Sequence, residues 1–363
     1  MATTNFGVNH ALARKLWSEK LFRDALKETY ISRFIGQGKS SLVQLLTDTQ
    51  KSAGDRVRVG LRMQLAGTGV SGDSTLEGNE EALNYYSDDV TIDQLRHAVR
   101  SNGKASEQRV PYNMRNEAKE ALQDWMADAM DTAFFNQICG NTAATDTKRT
   151  GMQATIAPTA AAGAADGISR IIVGGSHDAE GSLSATTTHA LTLRDLDVAV
   201  ARAKTMQPMF KPLRIKGDDY YVSFLHPYQI YQLRGQTNAG QWADIQKSAM
   251  QGGKISDNPI FTGAVGIYNG VVIHEATRVP NIVATPASGT VANFKRGVFC
   301  GAQAAGICFG QDNSDEKTSW NEELFDYGNQ LGVAAGVIWG LKKLQFNSTD
   351  FATIVLSGYA PAP

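Results

Sequence analysis

The sequence predicts a mixed α+β fold, and three observations carry that prediction. The stretch "YNMRNEAKEALQDWMADAMDTAFFNQICG" repeats apolar residues at helical steps along its whole length. "GDRVRVGLRMQLAG" instead alternates apolar and polar residues, the period of a strand with one covered face. The region from 255 to 310 is dominated by strand and turn signals, as in "NPIFTGAVGIYNGVVIHEATRVPN" and "RGVFCGAQAAGICFG".

Composition narrows the class further. A chain of 363 residues is long enough for two or three domains and a substantial core. Apolar content of 42% and charged content of 20% exclude wholesale disorder. A net charge of −1 provides no global basic field for sequence-specific nucleic-acid recognition. The balance is uneven: residues 1–60 hold ten Lys/Arg against five Asp/Glu, or +5, leaving −6 on the remainder. A solvated helical face explains such a run more simply than contact with polyphosphate. The three cysteines, Cys139, Cys300 and Cys308, form no even framework and fit a reducing compartment. "MATTNFGVNHALARK" turns polar at once, unlike a signal peptide.

Residues 1–53 read as an arm with one or two amphipathic helices ending near Asp48, with Leu12, Leu16, Phe22 and Leu26 recurring along it. Gly38-Lys39-Ser40 imitates a phosphate loop. Arg33 stands where that loop needs its first glycine, and the preceding element is helical where a strand is required. Residues 54–106 read as a long hairpin. Val57, Val59, Leu61, Met63 and Leu65 share one face, with Arg56, Arg58, Arg62 and Gln64 between them. The tip is "GTGVSGDSTLEGNEE" and the return strand "SDDVTIDQLRHAVRS". An isolated hairpin is marginally stable, so this one is expected to find its partner on another chain.

Residues 107–190 begin with Pro111 and a strut helix whose inward stripe is Ala118, Leu122, Trp125/Met126, Ala129, Ala133 and Ile138. Asn113 is its expected N-cap, Glu117 lies in its first turn and Gly140 stops it. About 27 helical residues span roughly 40 Å. The Gly/Ala/Thr-rich stretch 141–190 is expected to be a mobile surface insertion. Within 191–330 come a helix capped by Thr192 with Leu196, Val200 and Ala203 inward, a strand "DDYYVSFLHP" and a helix "PYQIYQLRG". In 331–363, "GVAAGVIWGLKK" imitates a membrane-helix packing motif. Its apolar run is shorter than the ~20 residues a span needs, so it reads as a densely packed core strand. A last strand is expected over 346–356.

Each catalytic look-alike lacks a required partner. His274-Glu275 begins a zinc-protease motif, but Arg278 replaces the second His and the stretch alternates as a strand. It reads as an ordinary strand-end His near a surface turn. Ser176, His177 and Asp178 are adjacent, whereas a triad is assembled from separate elements. Asp312, Ser314, Glu316 and Glu323 have partial calcium-loop spacing, but Lys317 occupies the sharp-turn glycine position. His226 precedes Pro227 at a strand-to-helix junction, where a His caps or packs. Cys300 and Cys308 have no nearby His pair. No catalytic residue, metal site or cofactor is assigned.

The order of the pieces carries a resemblance. "KLWSEKLFRDALKETYISRFIG", "GDRVRVGLRMQLAGTGVSGDSTLEGNEEAL", "YYVSFLHPYQIYQLR", "NPIFTGAVGIYNGVVIHEATRVPN" and "DYGNQLGVAAGVIWGLKKLQFNSTDFATIVL" together resemble the major capsid proteins of tailed bacteriophages, which share the Hong Kong 97-like fold. The resemblance implies an N-terminal arm (1–53), an extended hairpin loop (54–106) and a peripheral-domain spine helix with its insertion (107–190). A mainly axial domain (191–330) and a return to the peripheral domain (331–363) would follow. It implies a non-enzyme without cofactor or membrane. Hexamers and pentamers would assemble in the host bacterial cytoplasm into the icosahedral shell of a virion. That shell would enclose double-stranded DNA by non-specific contact, with scaffolding, cement and portal proteins as further partners. Inter-subunit contacts are expected at Trp17, at Arg56, Arg58 and Arg62, and at Glu77, Glu80 and Glu81. Some relatives weld subunits through a Lys–Asn isopeptide bond from the extended loop. No lysine occurs here from Ser52 to Gly103, so no such crosslink is expected. Two rival readings stand beside this one: a soluble oligomeric enzyme with a pocket between α/β halves, and a cellular nanocompartment shell of the same fold.

Overall fold

The computed structural model describes residues 25, 29–38, 40–46, 55–62, 65, 67–109, 111, 113–144, 151–175, 179–207, 209–215, 217–236, 264–310 and 318–363. A 3-10 turn, Tyr30–Phe34, leads into β1 (Ile35–Gly36) and β2 (Val43–Leu46). Next come β3 (Arg56–Arg62), β4 (Tyr85–Thr91), β5 (Asp93–Arg100), α1 (Lys104–Gln108) and α2 (Met114–Cys139). The middle of the chain holds β6 (Ile171–Val173), α3 (Leu193–Thr205), β7 (Leu213–Ile215), β8 (Asp218–Leu225) and α4 (Pro227–Arg234). It continues through β9 (Ala264–Tyr268), β10 (Val271–Glu275), β11 (Phe294–Cys300) and β12 (Ala305–Phe309). The last elements are β13 (Thr318–Phe325), β14 (Gln330–Lys343), β15 (Gln345–Phe346), β16 (Thr349–Asp350) and β17 (Thr353–Tyr359).

Two large sheets organise these elements. One runs β1-β2-β12-β14-β13, with β5 also paired to β14; the second runs β6-β17-β11-β8-β10-β9, with β7 beside β8. Their apolar faces and α2 share one continuous core, in which α2 packs against β14, β5 and β11. The expected caps of α2 are present. Asn113 Oδ1 accepts from the Arg115 N–H at 3.1 Å, and Gly140 closes the helix in the left-handed region at φ 65°. Ala118, Leu122, Met126, Ala129 and Ile138 are buried as expected, and towards the C-terminal end burial widens to Met130, Phe134 and Phe135. Thr192 and Asp195 form a capping box on α3, with Leu196, Val200 and Ala203 buried. His226 caps α4, its Nδ1 accepting from the Tyr228 N–H at 3.1 Å.

Several expectations are corrected. The helical reading up to Asp48 fails over 35–46: β2 pairs in parallel with β12, so the apolar run Leu42-Val43 belongs to a sheet core. The helical reading of 12–28 lies outside the described residues, apart from Ala25. The return strand over 87–101 is two strands, because the chain leaves the hairpin at Ile92 and enters the large sheet as β5. His274 is not at a surface turn. It is fully buried, with its ring 5.2 Å from Phe34 and 5.8 Å from Phe224. The last strand begins at Thr353, after the small β15–β16 pair.

The stretch 151–190 is the largest correction. It is not a surface insertion: β6 extends the second sheet beside β17, and Val173 and Leu183 pack with Ile282 and Phe294 in a satellite core. Glu180 is buried and carries an ion pair with Arg296, whose Nε lies 2.7 Å from the carboxylate. Ser357 Oγ donates to the same carboxylate, and Arg296 also donates to the Gly140 carbonyl at 2.8 Å. The Glu180–Arg296 pair, the satellite core and the Gln137 side chain, which donates to the Gln153 carbonyl at 2.8 Å, together fix this segment to the end of the strut helix.

Candidate interaction surface: the hairpin and the sheet that anchors it

"GVAAGVIWGLKK" forms most of β14, the strand around which the first sheet is organised. Its glycines permit close crossings. A Cβ on Gly340 would lie 2.2 Å from the Thr91 carbonyl oxygen, so the hairpin crosses β14 at a position where a side chain has no room. Beside the crossing, Lys342 Nζ pairs with Asp88 and donates to the Asp89 carbonyl at 3.1 Å. The second oxygen of Asp88 accepts from the Gln345 N–H at 2.9 Å. Next to this, Lys343 and Asp350 form a fully buried pair at 2.9 Å. The base of the hairpin is thereby pinned.

Away from that base the ribbon loses its cover. β3 and β4 pair antiparallel from Arg56↔Thr91 to Arg62↔Tyr85, which aligns Val57 with Val90 and Leu61 with Tyr86 on one face. Val57 and Val90 are buried against the sheet, whereas Leu61 and Tyr86 are only half-buried. Every residue from Gly67 to Tyr85 is exposed. Among the described residues, five of the nine well-exposed large apolar side chains lie here: Leu65, Val70, Leu76, Leu83 and Tyr85. They sit among Asp73, Glu77, Glu80 and Glu81, with no Lys or Arg from 63 to 95. An apolar, acidic ribbon held out from a fixed base suits burial against another polypeptide.

The sequence-predicted contact residues fall unevenly on this surface. Arg56, Arg58 and Arg62 all lie on the solvent side of β3. Arg58 is occupied within the chain, 2.8 Å from Asp89, and that hydrogen bond holds the Asp89 carboxyl below its ordinary range. Glu81 accepts from the Gly67 N–H at 2.6 Å and Glu80 from the Gly78 N–H at 2.7 Å, so both also shape the tip. Glu77 is exposed on the same tip. Trp17 lies outside the described residues. Sequence reasoning missed the anchors Asp88 and Lys342 and the exposed Leu76 and Leu83. Val70, Leu76 and Leu83 in a tip of otherwise small or polar residues were the available signal.

A second attachment concerns the start of the described chain. The Asp131 carboxylate, on α2, accepts from the N–H groups of Tyr30 (2.8 Å) and Ile31 (3.1 Å). Burial raises its pKa, against those two hydrogen bonds and the charge of Arg278. Tyr30 and Phe34 then insert among Phe135 and Phe224, with Phe34 edge-on to Phe224 at 5.1 Å.

Metal and thiol chemistry find no centre among the described residues. Those residues contain no group of three or more His, Cys, Asp or Glu placed to hold a metal ion. All three cysteines are buried, and burial pushes the Cys139 and Cys308 thiols up to about 12, far from reactive thiolates. Ser176, His177 and Asp178, and residues 311–317 of the calcium-like stretch, lie outside the described residues; Glu323 is on strand β13. No described helix is long and apolar enough to cross a membrane.

Comparison with known proteins finds relatives along nearly the whole chain. A family model described as phage capsid protein matches residues 5–362. The major capsid protein of Pseudomonas phage KPP25 is 29% identical over 378 residues, covering 97% of this chain and 96% of that protein. The capsid of Ralstonia phage GP4 superposes with a TM-score of 0.77 at 31% identity, covering 100% of this chain and 99% of that one. The capsid protein of cyanophage Pam1 has the same fold, with a TM-score of 0.72 at 20% identity over 93% of this chain and 94% of that one.

Proposed function

We infer the function from one premise: this chain belongs to the phage capsid protein family, whose model spans nearly all of it. It has the Hong Kong 97-like fold. It is a major capsid protein of a phage, a structural component of the virion shell and not an enzyme. The soluble-enzyme and nanocompartment readings give way to that membership.

The finer reading is that hexamers and pentamers of this chain close an icosahedral shell around the double-stranded DNA of a tailed phage. Assembly would take place in the host bacterial cytoplasm, with scaffolding, cement and portal proteins as partners. The observation that supports the mechanism is the hairpin, a two-stranded ribbon with no third strand among the described residues and apolar side chains bare at its far end. Such a ribbon gains stability when it lies over a neighbouring copy. Obligate interfaces bury roughly 2,000 Å² or more, and several weak contacts per subunit become collectively tight. Arg56 and Arg62 meeting Glu77 on another copy, and Trp17 in the arm, complete the proposed contact set.

Negative-stain microscopy of the purified chain tests the reading: rings, shells or tubes support it, and uniform small particles refute it. Charge reversal at Arg62 is expected to lower the yield of particles; an unchanged yield removes Arg62 from the contact set. Denaturing electrophoresis of particles is expected to give single subunits, because no lysine lies between Ser52 and Gly103 to form the crosslink.

A further inference from the structure

The β13–β14 turn carries a feature that the hairpin does not explain. Asp326, Tyr327 and Gly328 follow one another with φ of 51°, 52° and 83°. Left-handed backbone is ordinary for glycine and tolerable for Asp, but it strains a bulky side chain such as Tyr. The strained turn is nonetheless firmly built. The Gly328 N–H donates to the Phe325 carbonyl at 3.2 Å and the Asn329 N–H to the Asp326 carbonyl at 2.9 Å. Asn329 Oδ1 accepts from the Lys104 N–H at 3.2 Å, which ties the turn to α1. The guanidinium of Arg100 lies 4.2 Å from the centre of the Phe325 ring.

On this rigid tip the Tyr327 side chain is wholly exposed, at 109%, beside Leu324 at 65%. Two independent observations therefore meet at one residue: its backbone is strained, and its ring contributes no packing to its own subunit. Glycine or asparagine would suit the turn better, so the gain from tyrosine lies outside the subunit. Tyrosine and other aromatic anchors supply large contact area for little lost side-chain entropy. Glu323 and Asp326 lie near Tyr327 in the chain while Arg100 and Lys104 border the same turn, so the tip offers no one-sided basic field to a nucleic acid. A second copy of this chain, abundant in any shell it forms, is the partner that fits.

We propose that Tyr327, with Leu324 beside it, is an apolar anchor that seats against a neighbouring copy, at a contact separate from that of the hairpin. The inference rests on the shell-forming reading, and its test separates the two. Tyr327→Gly, Tyr327→Asn and Tyr327→Phe are compared with wild type for melting of the unassembled subunit and for shell yield by sedimentation. The glycine and asparagine variants are expected to melt at or above the wild-type temperature and to lose shell yield at least tenfold. The phenylalanine variant keeps its shells. Wild-type yields from the glycine and asparagine variants overturn the inference while leaving the shell intact. A lowered melting temperature with lost yield makes Tyr327 part of the turn's own structure and also overturns it, as does loss of shells in the phenylalanine variant. Absence of shells from wild type refutes the function instead.

Discussion

The hairpin tip and the stretch 151–190 are alike in composition and opposite in placement. Both are rich in Gly, Ser, Thr and Ala, and neither has enough large apolar residues to specify a core by itself. Gly67 to Tyr85 is exposed throughout, while the other stretch buries Arg170, Val173, Glu180, Leu183 and Ala190. The difference is whether the subunit supplies a partner. Arg296, Ser357 and Asp350 receive the second stretch through buried polar contacts; no described element of the subunit receives the tip. Small polar composition indicates only that a segment needs a partner from elsewhere, inside the subunit or beyond it.

The strongest way to break this comparison is to remove an internal partner. Glu180→Ala leaves Arg296 buried without its carboxylate and should destabilise the subunit by about 3–5 kcal/mol, read from urea unfolding. A loss below about 1 kcal/mol would mean that the pair does not hold the segment. Next in size is the hairpin base. Lys342→Ala strands Asp88 and should cost about 2–3 kcal/mol, with faster proteolytic cleavage in the tip. Unchanged cleavage would show that the crossing at Gly340 holds the hairpin alone.

Acid sharpens the enclosed side of the comparison. Burial first, and then the charge of Lys295, lower the pKa of His226 from 6.5 to about 4. The unfolded chain therefore takes a proton below about pH 6.5 that the folded chain refuses until about pH 4, so stability falls as pH drops through that window. His226→Asn keeps a capping side chain without a titrating one. Its melting temperature should fall less between pH 7 and 4.5 than that of wild type; parallel curves would exclude His226 as the source. The smallest effect on the subunit belongs to the tip. Leu76→Ser with Leu83→Ser should change subunit stability by no more than about 0.5 kcal/mol while abolishing particles.

Much of the fold was legible where local chemistry and tertiary placement agree. The caps of α2, α3 and α4 were visible as Asn113, Thr192 and His226, because capping is decided within a few residues. The hairpin face of Val57, Val59 and Leu61 was visible for the same reason. Segment 35–46 was misread because short apolar runs fit a helix or a strand equally until β12 is known to lie beside them. His274 was placed at the surface because sequence cannot show that Phe34, over two hundred residues away, covers it. Of the candidate interaction surface, the charges of the hairpin were legible and the exposed leucines were passed over, since exposure is a property of the whole subunit.

The bare glycine where the ribbon passes over β14 acts as a fulcrum. Seven paired residues carry the ribbon roughly 23 Å outward before its irregular end. A tilt of ten degrees at the crossing would sweep that end through about 4 Å, enough to miss one seat and meet another. Sequence drift at the far end changes only what the ribbon grips, whereas a single added methyl at residue 340 would alter where it reaches and thus the curvature into which many subunits can close.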